Sequence, residues 1–550
     1  MATSPTTPHS RGPLRAGAAV LAVLAVIGCS TGTQSNPGGP TQQELVASLP
    51  PAKGAVDTVT WNLTTGEPDT LFPPNAATYS GGQVAANLCD TLLTFDAGFT
   101  LKPNLATFRQ ADPLTLVYTI RDDAKFWDGQ PVTAEDVAYS MNRAKDPSTI
   151  VSFAYQNVQD ITVTGKNEVT VKFARPDVMF NGGMASIGGM VLQKAFSEKA
   201  GETLGSSGGG LMCSGPFKLD SWRSGDSITV SLNDNYWNAD RRPFAKQVKF
   251  TFVTDGTALV QALNAGEIDG AYEIPPSAIP ALRNSQAGKL TFGPSMQSML
   301  LSVATPDGPL SDVKLRQSLQ TLVTRDELAK AVYNGAAMPV YTVLTPATWP
   351  NDQKTAYQAA YDPFVRERAY NIEKAKKLVG ESTYQGQSLV MAIQSGDEAI
   401  SRTAQLIQQQ AKQVGVNIEI KPLTPLVFSQ AGYDANKRAG IDLILGTSFN
   451  SAPEPLEPLG FDFLPDQVYN YTNYTNETVT NLLTEARQTF DGAERAKKII
   501  AAQQIFEPES ALVPLLSLHT VTFLNNRLAG GITSFAYWST PQMAYVGSAK

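Results

Sequence analysis

The stretch Tyr118–Pro147, YTIRDDAKFWDGQPVTAEDVAYSMNRAKDP, carries a complete local folding instruction. Where it begins, Val117, Thr119 and Arg121 alternate with Tyr118, Ile120 and Asp122, which suits a strand. Asp128-Gly129 is a turn pair that tolerates positive φ. Thr133 then stands as a helix N-cap with Asp136 three residues on, the spacing of a capping box. Val132 and Val137 occupy the N′ and N4 positions of a hydrophobic staple, and Val137 and Met141 share one helix face. Asp146-Pro147 ends the helix, because proline disfavours helical geometry in the residue before it. The local reading is strand, turn and helix.

Around this stretch lies a chain of 550 residues, too long for one ordinary core, so more than one lobe is expected. Hydrophobic residues make up 42% and charged residues 17%, a globular composition. The formal net charge of −7, without any basic cluster, argues against nucleic acid as a partner. Three cysteines and two histidines leave little material for a zinc site, and no cofactor is expected.

At the N-terminus, Arg11 and Arg15 precede an apolar run, Ala18–Ile27, followed by Gly28-Cys29. A basic segment, a short apolar run and small residues at the cut mark a secretory signal peptide over residues 1–28. The run is shorter than the roughly 20 residues that span a bilayer. Val26-Ile27-Gly28-Cys29 resembles a bacterial lipobox, in which Cys29 becomes the lipid-bearing first residue. Residues 29–54, rich in Ser, Thr, Gly, Gln, Asn and Pro, read as a flexible tether.

The string Lys125–Pro147 resembles the hallmark of the bacterial peptide/nickel-binding class of extracytoplasmic solute-binding proteins, which serve ABC importers. Trp127 stands where that family usually has histidine. Cys213-Ser214-Gly215-Pro216-Phe217, the hairpin Asp220–Asn238, the helix-and-turn Val260–Asp269 and the helices of Val313–Tyr333, Tyr370–Val379, Thr478–Phe490 and Ala493–Phe506 resemble later family elements. The resemblance runs from about Val56 to about Phe535. It implies a two-lobed α/β fold of the periplasmic-binding-protein type (type II, large peptide-binding class). The large lobe would hold residues 55–293 and 517–550, with an inserted subdomain at about 94–212, and the second lobe residues 294–516. In such a fold Cys89, in a helix expected over Val84–Leu93, and Cys213 are neighbours. An even count of cysteines after lipidation of Cys29 suggests their disulfide, the alternative being two buried thiols.

Enzyme chemistry finds little support. His519 is the one histidine after the signal, and it sits in the apolar run LLSLHTVTFL, where a core histidine is expected rather than a catalytic base. No Walker motif, zincin motif or nucleophile elbow occurs. Gly205–Gly210 lacks the lysine of a phosphate loop and reads as a flexible connection. The three N-x-Thr triplets at Asn470, Asn473 and Asn476 read as a polar loop before a helix near Val479.

A binding module fits better. An extended peptide has unpaired backbone groups that strand edges can satisfy. The resemblance implies a cleft between lobes that close on a hinge, lined by Thr65, Gly66 and Glu67 and by Gly446, Thr447 and Ser448. Where peptide-binding members carry an aspartate that pairs with the ligand amine, this chain has Asn450, with Glu454 as a substitute if the loop is shifted. A neutral Asn450 suits a solute whose amine is blocked or absent. The expected partners are an oligo- or dipeptide, ABC permease subunits and the membrane through a lipid anchor, with the protein acting as a monomer on the extracytoplasmic face. A haem, metal chelate or sugar is the alternative solute, and a lipid-anchored hydrolase the alternative activity.

The lipobox reading has a direct consequence. Cys29→Ala is expected to release the mature protein from membranes into the medium, measured by fractionation, whereas unchanged membrane association would refute lipid attachment at Cys29.

Overall fold

The computed structural model describes residues 44–550. The expected signal peptide over residues 1–28, Cys29 and the first part of the expected tether lie outside the described residues.

Thr133 caps the helix Ala134–Lys145: its Oγ1 accepts from Asp136 N at 3.2 Å, and Asp136 Oδ2 accepts from Thr133 N at 3.1 Å. Asp136 Oδ1 also accepts from Lys194 N at 2.8 Å, so one cap fixes the start of two helices. Val132 and Val137 are both buried, as a staple requires. The strand ahead of the turn is Thr115–Ile120, the second of four in an antiparallel sheet with Ala106–Asp112, Glu168–Phe173 and Val158–Gly165.

Two larger sheets frame the molecule. The first has seven strands in the order 288–293, 520–525, 270–271, 56–62, 245–251, 227–232 and 217–223. The second has six, in the order 337–339, 512–518, 297–303, 443–449, 388–394 and 417–423. Trp61, Phe217 and Phe250 lie in the core of the first, and Met299, Leu389 and Leu515 in that of the second. The chain crosses between the sheets twice, at Pro294–Met296 and at His519. The two crossings lie side by side, because Gly293 pairs with Thr520 in one sheet and Ser298 with Ser517 in the other.

Cys89 and Cys213 are bonded, closing a loop with a sequence separation of 124. The bridge lies beside a buried carboxylate. Asp90 accepts from Tyr236 Oη at 2.9 Å, Trp237 Nε1 at 2.9 Å and Ser214 Oγ at 3.1 Å. Trp127 of the hallmark turn joins the same knot: its backbone N donates to Cys213 O at 3.0 Å and its Nε1 to Gly215 O at 3.3 Å.

Two sequence expectations need correction. The helix expected over Val84–Leu93 runs over Tyr79–Leu88, because Thr78 caps it by accepting from Gly81 N at 3.0 Å, and Leu93 enters a short strand. Residues 44–54, assigned to the tether, are held on the folded body. Val46 N donates to Phe292 O at 2.8 Å, Leu49 N to Gly531 O at 3.0 Å and Lys53 N to Ser548 O at 2.8 Å. Gly288–Gly293 is an edge strand, so Phe292 has a carbonyl free to accept.

Closing so long a loop removes denatured-state entropy worth about 4–5 kcal/mol in the chain model. The Cys89→Ser/Cys213→Ser double variant is expected to unfold at markedly lower denaturant concentration than the parent. Thiol labelling of denatured, unreduced mature protein is expected to find neither cysteine reactive.

Candidate functional site

The site grows out of the central strands of the six-stranded sheet. Gln297–Val303 and Leu443–Phe449 pair antiparallel, with Leu300 opposite Gly446 and Ser302 opposite Ile444. Side chains two apart share a face, and Leu300, Ser302, Ile444, Gly446 and Ser448 together floor a cavity of about 750 Å³. One wall is the helix Pro425–Tyr433, and another is the helix Leu456–Phe463 with the loop to Tyr471. The opposite wall comes from residues 150–154 and 183–188, with Tyr79 and Trp538 at one end. A Cβ at Gly446 would lie 3.3 Å from the end of the Phe428 ring, so any side chain there would push that ring back by a few tenths of an ångström.

The strand Leu443–Phe449 is unevenly covered. Its parallel neighbour Ser388–Gln394 pairs only with Leu443, Ile444 and Leu445. Asn450 N donates to Met296 O at 3.2 Å, making these two a hydrogen-bonded pair. In an antiparallel ladder such pairs alternate, so Ser448 and Gly446 also bond to the Gln297–Val303 strand. Thr447 and Phe449 therefore direct their N–H and C=O groups to the other edge, which no strand covers beyond Leu445. Both residues line the cavity.

Beside this edge Asn450 is 8% exposed, and its Nδ2 has no hydrogen-bond partner among the described residues. A buried amide donor without an acceptor is costly, and this one borders the cavity. Tyr79 Oη donates to Gln297 Oε1 at 2.9 Å, and its ring packs against Phe449 with centroids 5.1 Å apart. Phe449 in turn meets Trp538 at 5.1 Å, closing that end with aromatic faces.

The sequence-selected residues divide. Gly446, Thr447, Ser448 and Asn450 all line the cavity. Thr65, Gly66 and Glu67 do not. Thr65 is exposed and its Oγ1 lies 2.7 Å from Ser80 Oγ. Gly66 takes a positive φ of 94° at the turn. Glu67 is spent on the 217–232 hairpin, accepting from Trp222 Nε1 at 2.6 Å, Ser224 Oγ at 3.2 Å and Gly225 N at 2.8 Å. The first lobe instead presents Ala77 and Tyr79. Glu454 borders a smaller neighbouring cavity of about 310 Å³ together with Arg487. Burial raises its pKa, which the charges of Arg495 and Arg487 oppose. Arg487 itself is held in a two-pronged pair with Asp177, at 3.0 and 2.7 Å.

Two acids escaped the sequence reading. Glu457 is 8% exposed and accepts from Ser451 N at 2.9 Å, Ser451 Oγ at 3.1 Å and Ala452 N at 3.3 Å. Burial pushes its pKa up to about 7. Asp462 lines the main cavity, and burial raises its pKa to about 8. The signal for Asp462 was an acid inside the apolar run Leu459–Leu464, ahead of the tyrosine-rich segment 469–474. Asn470 folds that segment, donating to Leu464 O at 3.1 Å and Tyr474 O at 2.8 Å. His519 is buried where the chain crosses between sheets, and desolvation lowers its pKa to about 4, so it is neutral at physiological pH.

A family model described as "Bacterial extracellular solute-binding proteins, family 5 Middle" matches residues 100–470. The glutathione-binding protein GsiB of Escherichia coli strain K12 is 26% identical over 507 residues, covering 90% of this chain and 93% of that protein. Among solved structures, the ABC transporter substrate-binding protein CtaP of Listeria monocytogenes aligns with a TM-score of 0.77 at 22% identity, over 90% of this chain and 100% of that one. The oligopeptide-binding protein AppA of Bacillus subtilis, solved in complex with a nonapeptide, aligns with a TM-score of 0.75 at 19% identity, over 91% of this chain and 100% of that one.

The Glu457 carboxyl binds its proton more tightly in the folded chain than in the unfolded one. Its contribution to stability is therefore full below the unfolded pKa of about 4.3 and is lost as pH rises through about 7. Glu457→Gln removes this dependence. The variant is expected to gain stability relative to the parent by on the order of 3 kcal/mol between pH 4.5 and pH 8, measured by urea unfolding at both pH values. An identical pH slope in the two proteins would show that Glu457 does not titrate in this range.

Proposed function

This chain belongs to family 5 of the bacterial extracellular solute-binding proteins, and we propose that its cavity captures a peptide by its backbone for delivery to the permease of an ABC importer. Its fold is the two-lobed type II periplasmic-binding architecture of the large peptide-binding class. Membership in a family of binding proteins also supports a non-enzymatic role.

The observation that carries the peptide reading is the uncovered strand edge at Thr447 and Phe449. Two residues of an extended peptide, laid against it, would exchange N–H and C=O bonds with these positions by β-augmentation. Asn450 Nδ2, otherwise orphaned, would donate to a ligand carbonyl. The 26% identical relative is named for glutathione, a tripeptide, which is compatible with recognition of amide groups. In this reading the lobes, residues 55–293 with 517–550 and residues 294–516, close about the paired crossings. The protein works as a monomer anchored by lipid on Cys29 outside the cytoplasmic membrane.

Backbone N-methylation tests the edge. In a tetrapeptide ligand, methylation of an amide facing the edge is expected to weaken binding about tenfold or more, because a buried carbonyl loses its donor. Methylation of the next amide is expected to have little effect. Calorimetric titration of the three singly methylated peptides reads this alternation, and uniform tolerance would refute backbone capture. Asn450→Ala is expected to weaken the parent peptide about tenfold as well.

A further inference from the structure

The wall of the cavity built by the helix Leu456–Phe463, the loop to Tyr471 and Tyr433 has its own chemistry. Phe461, Tyr469 and Tyr433 form a continuous aromatic surface, with ring centroids 5.8 Å apart for Phe461–Tyr469 and 5.9 Å for Tyr433–Tyr469. Phe153 of the opposite lobe closes on Phe461 edge-to-face at 4.9 Å. Tyr469 Oη donates to Tyr433 Oη at 3.2 Å, fixing both rings. Asp462, next to Phe461 on the helix Leu456–Phe463, borders the same space. Among the described residues no hydrogen-bond donor and no charged partner acts on its carboxylate.

Asp462 is half-buried, and a partly desolvated carboxylate beside aromatic rings is unfavourable without a partner, since the π-faces carry negative potential. The same arrangement is favourable around a cation, which both the carboxylate and the ring faces attract. We propose that Asp462, with the ring faces of Tyr469, Tyr433 and Phe461, is the subsite for a positively charged group of the solute, an ammonium or a guanidinium. This deepens the peptide reading, on which it rests for the rest of the ligand. The cation comes either from a free α-amine or from a basic side chain. It meets the solute at a different place from Asn450, whose neutral amide cannot neutralise charge.

The proposal has a pH signature. The carboxyl of Asp462, raised by burial to about 8, holds a proton in the empty cavity at neutral pH, and a bound cation must displace it. Affinity for a cationic probe therefore rises about tenfold per unit up to about pH 8. The other charged or titratable groups around this wall are Glu457 and Asp466 at the cavity, the three tyrosines Tyr433, Tyr469 and Tyr471, and Arg438, whose guanidinium lies 4.0 Å from the Tyr471 ring centre. Glu457 also titrates near pH 7, so the assignment requires that the slope vanish in Asp462→Asn.

Two matched peptide pairs distinguish the sources of charge: trialanine against N-acetyl-trialanine, and N-acetyl-Ala-Lys-Ala against N-acetyl-Ala-norleucine-Ala. In the parent protein one pair is expected to separate by about 30-fold or more in favour of its cationic member. The first pair separating identifies an α-amine, and the second a side-chain cation. Asp462→Asn is expected to fold as the parent does, to lose that separation and to lose the pH slope. No separation in either pair, or a separation kept in Asp462→Asn, overturns the proposal. A peptide-independent arm separates the two readings: millimolar propylammonium against propanol, followed by the carbon-13 carboxyl resonance of Asp462. A lowered titration midpoint with propylammonium alone supports the cation subsite even if every peptide fails to bind, which would sink only the peptide reading. An unchanged midpoint overturns the subsite.

Discussion

The arrangement of the molecule depends on two backbone crossings that run side by side. Gly293 and Thr520 are partners in the seven-stranded sheet, and Ser298 and Ser517 in the six-stranded sheet. One antiparallel ribbon thus threads both sheets, interrupted by Pro294–Met296 on one strand and His519 on the other. Paired strands resist shear along their length, because sliding breaks every ladder bond, yet they can bend where the ladder is interrupted. The crossings are therefore a place where φ/ψ changes can swing one sheet against the other. They also anchor the cavity: Met296, within a crossing, accepts the hydrogen bond from Asn450 that sets which edge of the Leu443–Phe449 strand stays open.

Two buried carboxylates, Asp90 and Glu457, and one half-buried carboxylate, Asp462, show how the same desolvation penalty serves different ends. Asp90 is surrounded by donors from Tyr236, Trp237 and Ser214, and these ties hold the residue after Cys213 and the 227–238 segment against the chain beside Cys89. Glu457 receives the backbone N–H groups of Ser451 and Ala452, which shapes the loop between the two cavities. Asp462 has neither kind of support. A buried acid satisfied by the fold stabilises structure, whereas one left without donors at a cavity wall is available to a ligand.

The long-range ion pairs follow a similar division. Asp177 and Arg487 lie 310 positions apart in the chain and form a two-pronged pair on one side of the smaller cavity. Arg368 and Glu507, both buried, join the helix Lys354–Arg368 to the end of the helix Gly492–Phe506. These contacts consume the charges involved. Arg487 borders the smaller cavity with Glu454 but is paired with Asp177, and burial keeps the Glu454 pKa raised.

The amino-acid order by itself determined what rests on neighbours in the chain. The Thr133 cap, the Val132–Val137 staple and the Asp128-Gly129 turn are local interactions, so their spacing was enough. Gly446, Thr447, Ser448 and Asn450 were selected by likeness to the cleft-lining segment of a known family, although Asn450 departs from that family's aspartate. Tertiary structure decided the rest, for physical reasons that no local window contains. The edge at Thr447 and Phe449 is open because Ser388–Gln394, about 50 residues earlier, stops pairing at Leu445. Glu67 left the cavity because Trp222 and Gly225, 155 and 158 positions away, offered it donors. Leu45, Val46 and Leu49 sat in what composition read as a tether, until an edge strand supplied a carbonyl for Val46. Asp462 drew no reading from the sequence, and only the folding of the 464–474 loop by Asn470 brought Tyr469 and Tyr471 to the same cavity.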